Sequence, residues 1–107
     1  MLDKRQFYIN GKWVDPTSPN DLEVINPSNE EVCAIISLGS SSDTDLAIEA
    51  ANQALPSWSK TSKEERLKLI EKLYEIYKAR WNDMTESISL EMGAPYDWAN
   101  NEQSKSG

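Results

Sequence analysis

A chain of 107 residues has room for one domain at most. Its formal net charge of −7, from 18 acidic against 11 basic side chains, argues against binding to nucleic acid or to an anionic membrane, because both need a basic face. No apolar run approaches the roughly 18 residues of a membrane span, and the first residues lack the order of a secretory signal. The single Cys33 cannot form an internal disulfide, which agrees with a reducing compartment. A soluble, cytoplasmic protein is therefore expected.

Two β-hairpins are predicted over residues 7–38. In the first, β-forming residues flank Asn10-Gly11, the dipeptide that suits a type I′ turn because both of its central residues need positive φ. In the second, residues 24–25 and 32–38 flank a longer turn that includes Asn26 and Pro27. The polar residues 1–6 are expected to be loose.

A first helix is predicted over residues 43–55. Ser42 with Asp45 three residues later has the pattern of a capping box, and Pro56 is expected to stop the helix. Four alanines fall on one face of this helix and form a stripe of small residues suited to close packing: Ala47, Ala50, Ala51 and Ala54.

Two further helices are predicted over residues 62–81 and 83–92. The second helix starts at a capping box of Ser62 and Glu65 and carries apolar residues at spacings of three and four: Leu67, Ile70, Leu73, Tyr74, Tyr77 and Trp81. The third is expected to be capped by Asn82-Asp83, to end before Gly93 and Pro95, and to turn three residues inward: Met84, Ile88 and Met92. The fold class is therefore α+β, with two hairpins followed by three helices.

Few residues of this chain can carry chemistry. The sequence has no histidine, which excludes histidine-based acid–base catalysis and histidine-ligated zinc, and it contains neither a dinucleotide fingerprint nor a P-loop. Cys33 lies in a predicted strand without a basic neighbour. It is therefore expected to be a small, half-buried strand residue and not a nucleophile. The paired carboxylates at helix starts are explained by capping. Glu91 stands apart because it lies just before a Gly-Ala-Pro break, where ion sites occur. The residues by themselves indicate a non-catalytic α+β domain.

Five motifs in a fixed order resemble the N-terminal region of the aldehyde dehydrogenase superfamily. They are FYINGKWV (7–14), VINPSNEEV (24–32), LPSW (55–58), SKEERLKLIEKL (62–73) and LEMGAP (90–95). The resemblance implies part of a longer α/β enzyme, a homo-oligomer, that oxidises an aldehyde to a carboxylic acid with NAD or NADP. It also implies that residues 1–107 are a scaffold segment, inactive alone, because the family's catalytic and cofactor-binding motifs have no counterpart here. No catalytic or cofactor-binding residue carries over, and Cys33 does not match the catalytic cysteine.

The resemblance also implies one site, for a monovalent cation such as potassium or sodium. Many family members hold this ion with backbone carbonyls before an Asn-Pro turn and with an acidic side chain before a Gly-Lys-Pro motif. The matching positions are Val24, Ile25 and Glu91. The chain departs from the pattern in having Glu91 where aspartate is usual and Ala94 where lysine is usual.

A second interpretation stays open beside the enzyme. The chain would then be an independent acidic module that docks a partner through the helical face of residues 67–81, without catalysis. The reading frame after Gly107 distinguishes the two, because a Rossmann strand-turn-helix and a cysteine motif downstream would identify the enzyme, whereas a stop codon would favour the module or a decayed gene.

Overall fold

The computed structural model describes residues 1–106 as an α+β chain. The strands are β1 (Leu2–Lys4), β2 (Phe7–Ile9), β3 (Lys12–Val14), β4 (Asp21–Ile25) and β5 (Val32–Ser37). The helices are α1 (Ser41–Trp58), α2 (Lys63–Ala79), α3 (Trp81–Met92), the short α4 (Tyr96–Trp98) and a π-helix (Ala99–Gln103). The chain divides into two compact units. The first unit combines residues 1–24 with 32–61, and the second combines residues 25–31 with the chain from Ser62 onward.

The first hairpin forms as predicted. β2 and β3 pair antiparallel, with Phe7 opposite Val14 and Tyr8 opposite Trp13. Asn10 (φ 53°) and Gly11 (φ 74°) both have positive φ, as a type I′ turn requires. The Tyr8 and Trp13 rings lie 5.2 Å apart on one face of this two-stranded ribbon.

A three-stranded sheet in the order β1-β5-β4 contains the second hairpin. β4 begins at Asp21, earlier than predicted. The expectation that residues 1–6 are loose is wrong for β1, which pairs in parallel with β5 so that Leu2 lies opposite Ala34. The pairing covers one edge of β5, and the Arg5 guanidinium fixes the end of β1 through bonds to Asp3 (2.7 Å) and Asp21 (3.3 Å).

The start and the end of α1 both differ from the prediction. Ser40 is the N-cap and shares a capping box with Asp43, so Ser42 and Asp45 are not the capping pair. Pro56 does not stop the helix, which continues to Trp58. A proline near a helix end removes only one backbone bond, and the Ser57 hydroxyl donates to the Ala54 carbonyl at 3.0 Å, which satisfies part of the last turn.

In the second unit α2 and α3 are separated by one residue. The Ser62–Glu65 capping box is present. α2 ends at Ala79, and Arg80 (φ −105°, ψ 17°) is both its C-cap and the N-cap of α3, so Trp81 begins α3 instead of ending α2. The predicted cap at residues 82–83 is wrong, because these side chains already lie inside the helix.

Gly93 ends α3 in the left-handed conformation (φ 68°), as predicted. The chain then forms α4 and the π-helix, which no sequence pattern predicted. A network of polar side chains joins this segment to α2 and α3. Thr85 and Ser104 are both fully buried, and their hydroxyl oxygens lie 2.9 Å apart in a hydrogen bond. The Tyr77 hydroxyl donates to the Ser104 carbonyl at 2.7 Å.

The buried apolar core of the described chain consists of three alanines, Ala34, Ala94 and Ala99. α2 buries no residue. Met84 and Met92, predicted to point inward, are 40% and 60% exposed, and Ile88 is half-buried. The larger apolar side chains therefore lie on faces that the described residues leave open.

Candidate functional site

Glu91, the predicted acidic ligand, lies one residue before the end of α3. Its side chain is exposed. Among residues 1–106 it takes part in no ion pair and no side-chain hydrogen bond. A carboxylate without a competing partner is available to a ligand.

The predicted carbonyl ligands belong to the last two residues of β4. The Val24 carbonyl oxygen accepts the Cys33 thiol at 3.3 Å, which uses one of its two lone pairs. Ile25 opens the second unit, and its side chain is 45% exposed. The turn that follows is held by the Asn26 amide, which donates to the Glu31 carbonyl at 2.9 Å.

Within the second unit, this turn packs against the end of α3. A Cβ atom placed on Gly93 would lie 2.9 Å from Pro27 Cγ and 3.3 Å from Ser28 Oγ. The Ser89 hydroxyl donates to the Ala94 carbonyl at 2.9 Å and so fixes the chain after Gly93. Ile25 lies two residues before Pro27 in the sequence. Glu91 lies two residues before Gly93.

No cluster of three or more histidine, cysteine, aspartate or glutamate side chains able to hold a metal occurs in residues 1–106. A site made of Val24, Ile25 and Glu91 would use one carboxylate and two carbonyls, which is a suitable donor set for a weakly charged, hard cation.

Cys33 lies in β5 and is half-buried. Its thiol is engaged with the Val24 carbonyl. An activated cysteine needs a neighbouring positive group, a helix N-terminus or a general base, and the chain contains no histidine. The environment is therefore that of a strand residue.

Asp43 is a buried carboxylate of the first unit. It is 5% exposed. The Thr17 amide donates to it at 2.9 Å, and the Ser40 amide and hydroxyl donate at 2.9 and 2.7 Å. The Thr17 bond, followed by those from Ser40, lowers the pKa of Asp43 to about 2. The carboxylate thereby ties the loop before β4 to the start of α1, which is a structural role.

A polar groove of about 690 Å³ in the first unit was not predicted. Residues that line it include Asp3, Arg5, Trp13, Asp15, Pro19 and Asp21. Within it the Arg5 guanidinium bonds to Asp3 and Asp21, and the Gln6 amide donates to Asp15 at 2.9 Å. The Arg5 hydrogen bond lowers the pKa of Asp3. No local sequence pattern indicates this groove, because the residues that line it come from separate segments between Asp3 and Ser37.

Across the described residues, no helix is both long and apolar enough to pass through a lipid bilayer.

The described fold and sequence match a family of oxidoreductases. The model of the aldehyde dehydrogenase family matches residues 13–106. An aldehyde dehydrogenase from Bartonella henselae, known from its crystal structure, is 57% identical, with a TM-score of 0.97 over 98% of this chain and 22% of that one. The chain therefore belongs to the aldehyde dehydrogenase family and corresponds to its N-terminal region.

Two further relatives carry more specific descriptions. A 3-succinoylsemialdehyde-pyridine dehydrogenase from a Pseudomonas species is 43% identical over 95 residues, which are 89% of this chain and 20% of the relative. The structure of aldehyde dehydrogenase C from Pseudomonas syringae, a C291A mutant complexed with NAD+ and octanal, is 40% identical with a TM-score of 0.92, over 94% of this chain and 21% of that one. The chain thus spans about a fifth of the length of the relatives it matches.

Proposed function

We propose that this chain is the N-terminal part of an enzyme that oxidises an aldehyde to a carboxylic acid with NAD or NADP as the hydride acceptor. The observation that carries the proposal is the match of residues 13–106 to the family model. It is supported by the NAD+ and octanal in the related Pseudomonas syringae structure and by the NAD in a Sinorhizobium meliloti neighbour that is 31% identical. A cytoplasmic homo-oligomer is part of the proposal.

In this proposal residues 1–107 support the enzyme without touching the reacting atoms. Aldehyde oxidation by this family needs a nucleophile, a general base and a site for the cofactor phosphates. The chain has no phosphate-binding glycine loop, and its one cysteine donates to the Val24 carbonyl. The chemistry is assigned to polypeptide outside these residues.

The test uses the full-length polypeptide that contains residues 1–107. It is purified and assayed for NADH or NADPH formation with short aliphatic, long aliphatic and aromatic aldehydes. We expect reduction of at least one cofactor with at least one class. A downstream sequence without a cysteine nucleophile, or a purified polypeptide that reduces neither cofactor with any aldehyde, would contradict the proposal.

We further propose that the full-length enzyme holds a potassium or sodium ion between the carbonyls of Val24 and Ile25 and the carboxylate of Glu91. Support comes from the unpaired, exposed Glu91 carboxylate and from the close approach of Gly93 to Pro27 in the second unit. Carboxylate and carbonyl oxygens are the ligands that hard cations prefer.

The cation proposal is tested with the Glu91→Gln variant of the full-length polypeptide. The measurement is the melting temperature in potassium, sodium and a bulky organic cation, and the matched control is Glu86→Gln, which neutralises an exposed carboxylate on the same helix. We expect the wild type and the control to be stabilised by one of the small cations, as ligand linkage requires, and Glu91→Gln to lose this response. An unchanged response in Glu91→Gln would remove Glu91 from the site.

The second candidate function, a non-catalytic interaction module, is favoured by one observation. Apolar side chains along α2 are open to solvent, among them Ile70 (62% exposed) and Leu73 (65%). Binding of a separate protein to this face, together with a stop codon after Gly107, would favour the module.

A further inference from the structure

The turn between β2 and β3 places an asparagine side chain next to an unhindered backbone nitrogen. Asn10 is the only asparagine in the sequence that precedes a glycine. Both Asn10 and Gly11 are exposed, and a Cβ atom placed on Gly11 would meet nothing within 4 Å. Since glycine carries no side chain, nothing on Gly11 itself shields its amide nitrogen from the Asn10 carboxamide.

The Asn10 carboxamide lacks the contacts that hold other asparagines of the chain. Among the described residues it takes part in no hydrogen bond. By contrast, the Asn26 side-chain oxygen accepts the Ser28 amide at 2.9 Å, and the Asn100 side-chain oxygen accepts the Trp81 indole N–H at 2.7 Å. A carboxamide without such bonds is free to rotate towards the next backbone nitrogen.

The backbone of this turn is held by a short ribbon. β2 and β3 have three residues each and form a separate two-stranded sheet. A two-stranded hairpin is marginally stable in water, and exposed elements with few buried contacts open at low free energy. Asn10 has φ 53° in the closed turn. Opening of the ribbon releases Asn10 from this conformation and lets its carboxamide carbon approach the Gly11 nitrogen.

We propose that Asn10 is a site of spontaneous deamidation, at which its side chain cyclises onto Gly11. The Gly11 nitrogen attacks Asn10 Cγ, so that a bond forms between these two atoms, the bond from Cγ to Nδ2 breaks, and Nδ2 leaves as ammonia with the proton of the Gly11 amide. The product is a cyclic imide. Water then opens the imide at one of its two carbonyl carbons and leaves either aspartate or isoaspartate, in which the main chain runs through Cβ and Cγ. No oxidant, reductant or enzyme is needed, and each product carries one more negative charge than the asparagine.

The two products have different effects on the ribbon. Asp-Gly suits a type I′ turn as Asn-Gly does, so conversion to aspartate leaves the turn intact. Isoaspartate adds one atom to the main chain of a two-residue turn, and the turn sets the register in which Phe7 lies opposite Val14 and Tyr8 opposite Trp13. Formation of isoaspartate should therefore loosen the pairing of β2 with β3. This modification does not depend on the proposed function.

The experiment follows the ageing of the full-length polypeptide that contains residues 1–107. The folded protein is incubated in mildly alkaline buffer and digested at acidic pH, and the peptides that contain Asn10 and Asn20 are quantified by liquid chromatography and mass spectrometry. Synthetic peptides identify the aspartate and isoaspartate forms. Asn20 is the matched control, because it is also exposed and without a side-chain hydrogen bond among the described residues, but precedes Asp21.

We expect Asn10 to be converted at least about tenfold faster than Asn20, the factor that corresponds to about 1.4 kcal/mol of activation free energy. Both isoaspartate and aspartate should form at position 10. Gly11→Ala should slow the conversion of Asn10 by a similar factor, because the added Cβ crowds the attacking nitrogen. This substitution also strains the turn, so both rates are measured again in urea, where the same order is expected.

The loosening of the ribbon is measured by hydrogen exchange of the peptide that spans residues 7–14. Exchange should be faster in the isoaspartate form than in the Asn10→Asp variant, which carries the same added charge on an unaltered main chain. Conversion of Asn10 no faster than that of Asn20, or formation of aspartate without isoaspartate, would overturn the proposed cyclisation. Equal exchange in the isoaspartate form and in Asn10→Asp would overturn its effect on the ribbon.

Discussion

Replacing Gly93 by alanine should destabilise the second unit for two separate reasons. Gly93 has φ 68°, and an L-residue in the left-handed conformation costs roughly 1–2 kcal/mol. The added Cβ would also lie 2.9 Å from Pro27 Cγ, and forcing extra atoms into a packed contact costs about 1–3 kcal/mol. The sum is about 2–5 kcal/mol in the free energy of unfolding.

Gly11→Ala is the matched control for this substitution. Gly11 also has positive φ (74°), but a Cβ atom there would meet nothing within 4 Å. It should therefore lose only the backbone part, roughly 1–2 kcal/mol. The measurement is equilibrium urea unfolding followed by far-ultraviolet circular dichroism, with the dependence on urea compared among variants.

A double-mutant cycle separates the two contributions at Gly93. Pro27→Ala shortens the side chain that the new Cβ would meet. It should therefore recover part of the unfolding free energy lost in Gly93→Ala, so that the two substitutions are not additive. If Gly93→Ala cost no more than Gly11→Ala, the close packing between the turn and the end of α3 would be refuted, and with it the structural support for a cation site beside Glu91.

Two further predictions concern buried polar contacts. Because hydrogen bonds lower the pKa of Asp43 to about 2 from its ordinary value of 3.8, the stability it contributes is present above about pH 4 and is lost as the pH falls towards 2. The stability difference between wild type and Asp43→Asn should therefore be constant near neutral pH and shrink over that acidic range in urea unfolding; a constant difference down to pH 2 would contradict the assignment. Tyr77→Phe removes the donor to the Ser104 carbonyl and should lower the free energy of unfolding by about 1–2 kcal/mol. Tyr74→Phe, at a residue that is 59% exposed, should leave it almost unchanged. Equal effects of the two substitutions would mean that the Tyr77 hydrogen bond contributes nothing to stability.

Local signals predicted those parts of the fold whose geometry depends on a few adjacent residues. The Asn10-Gly11 turn, the Ser62–Glu65 capping box and the left-handed Gly93 are of this kind, and all three are present. Each depends on a backbone conformation or a short-range hydrogen bond that the residue type itself favours.

The sequence-based predictions were wrong where contacts between distant segments determine the local structure. β1 consists of three exposed residues, and only its pairing with β5 makes it a strand. Ser40 and Ser42 are both suitable caps, and the bond from the Thr17 amide to Asp43 accompanies the earlier start. The π-helix after Trp98 has no periodic pattern, and contacts with Thr85 and Tyr77 hold the turn that ends it.

The candidate cation site came from the family resemblance and not from composition or spacing. From the sequence alone, Glu91 differs from the other carboxylates only in lying just before the Gly-Ala-Pro break. What the structure adds is the contact between Gly93 and the Pro27 turn, which no pattern within either segment encodes because the two are distant in sequence.

Residues 1–107 are proposed to form a non-catalytic part of an aldehyde dehydrogenase. The decisive measurement is steady-state NADH and NADPH formation, compared side by side for the purified chain and for the full-length polypeptide with the same aldehydes. We predict cofactor reduction by the full-length polypeptide and none by the chain. Reduction by the chain alone that Cys33→Ser abolishes would contradict the claim, because it would place the nucleophile within these residues.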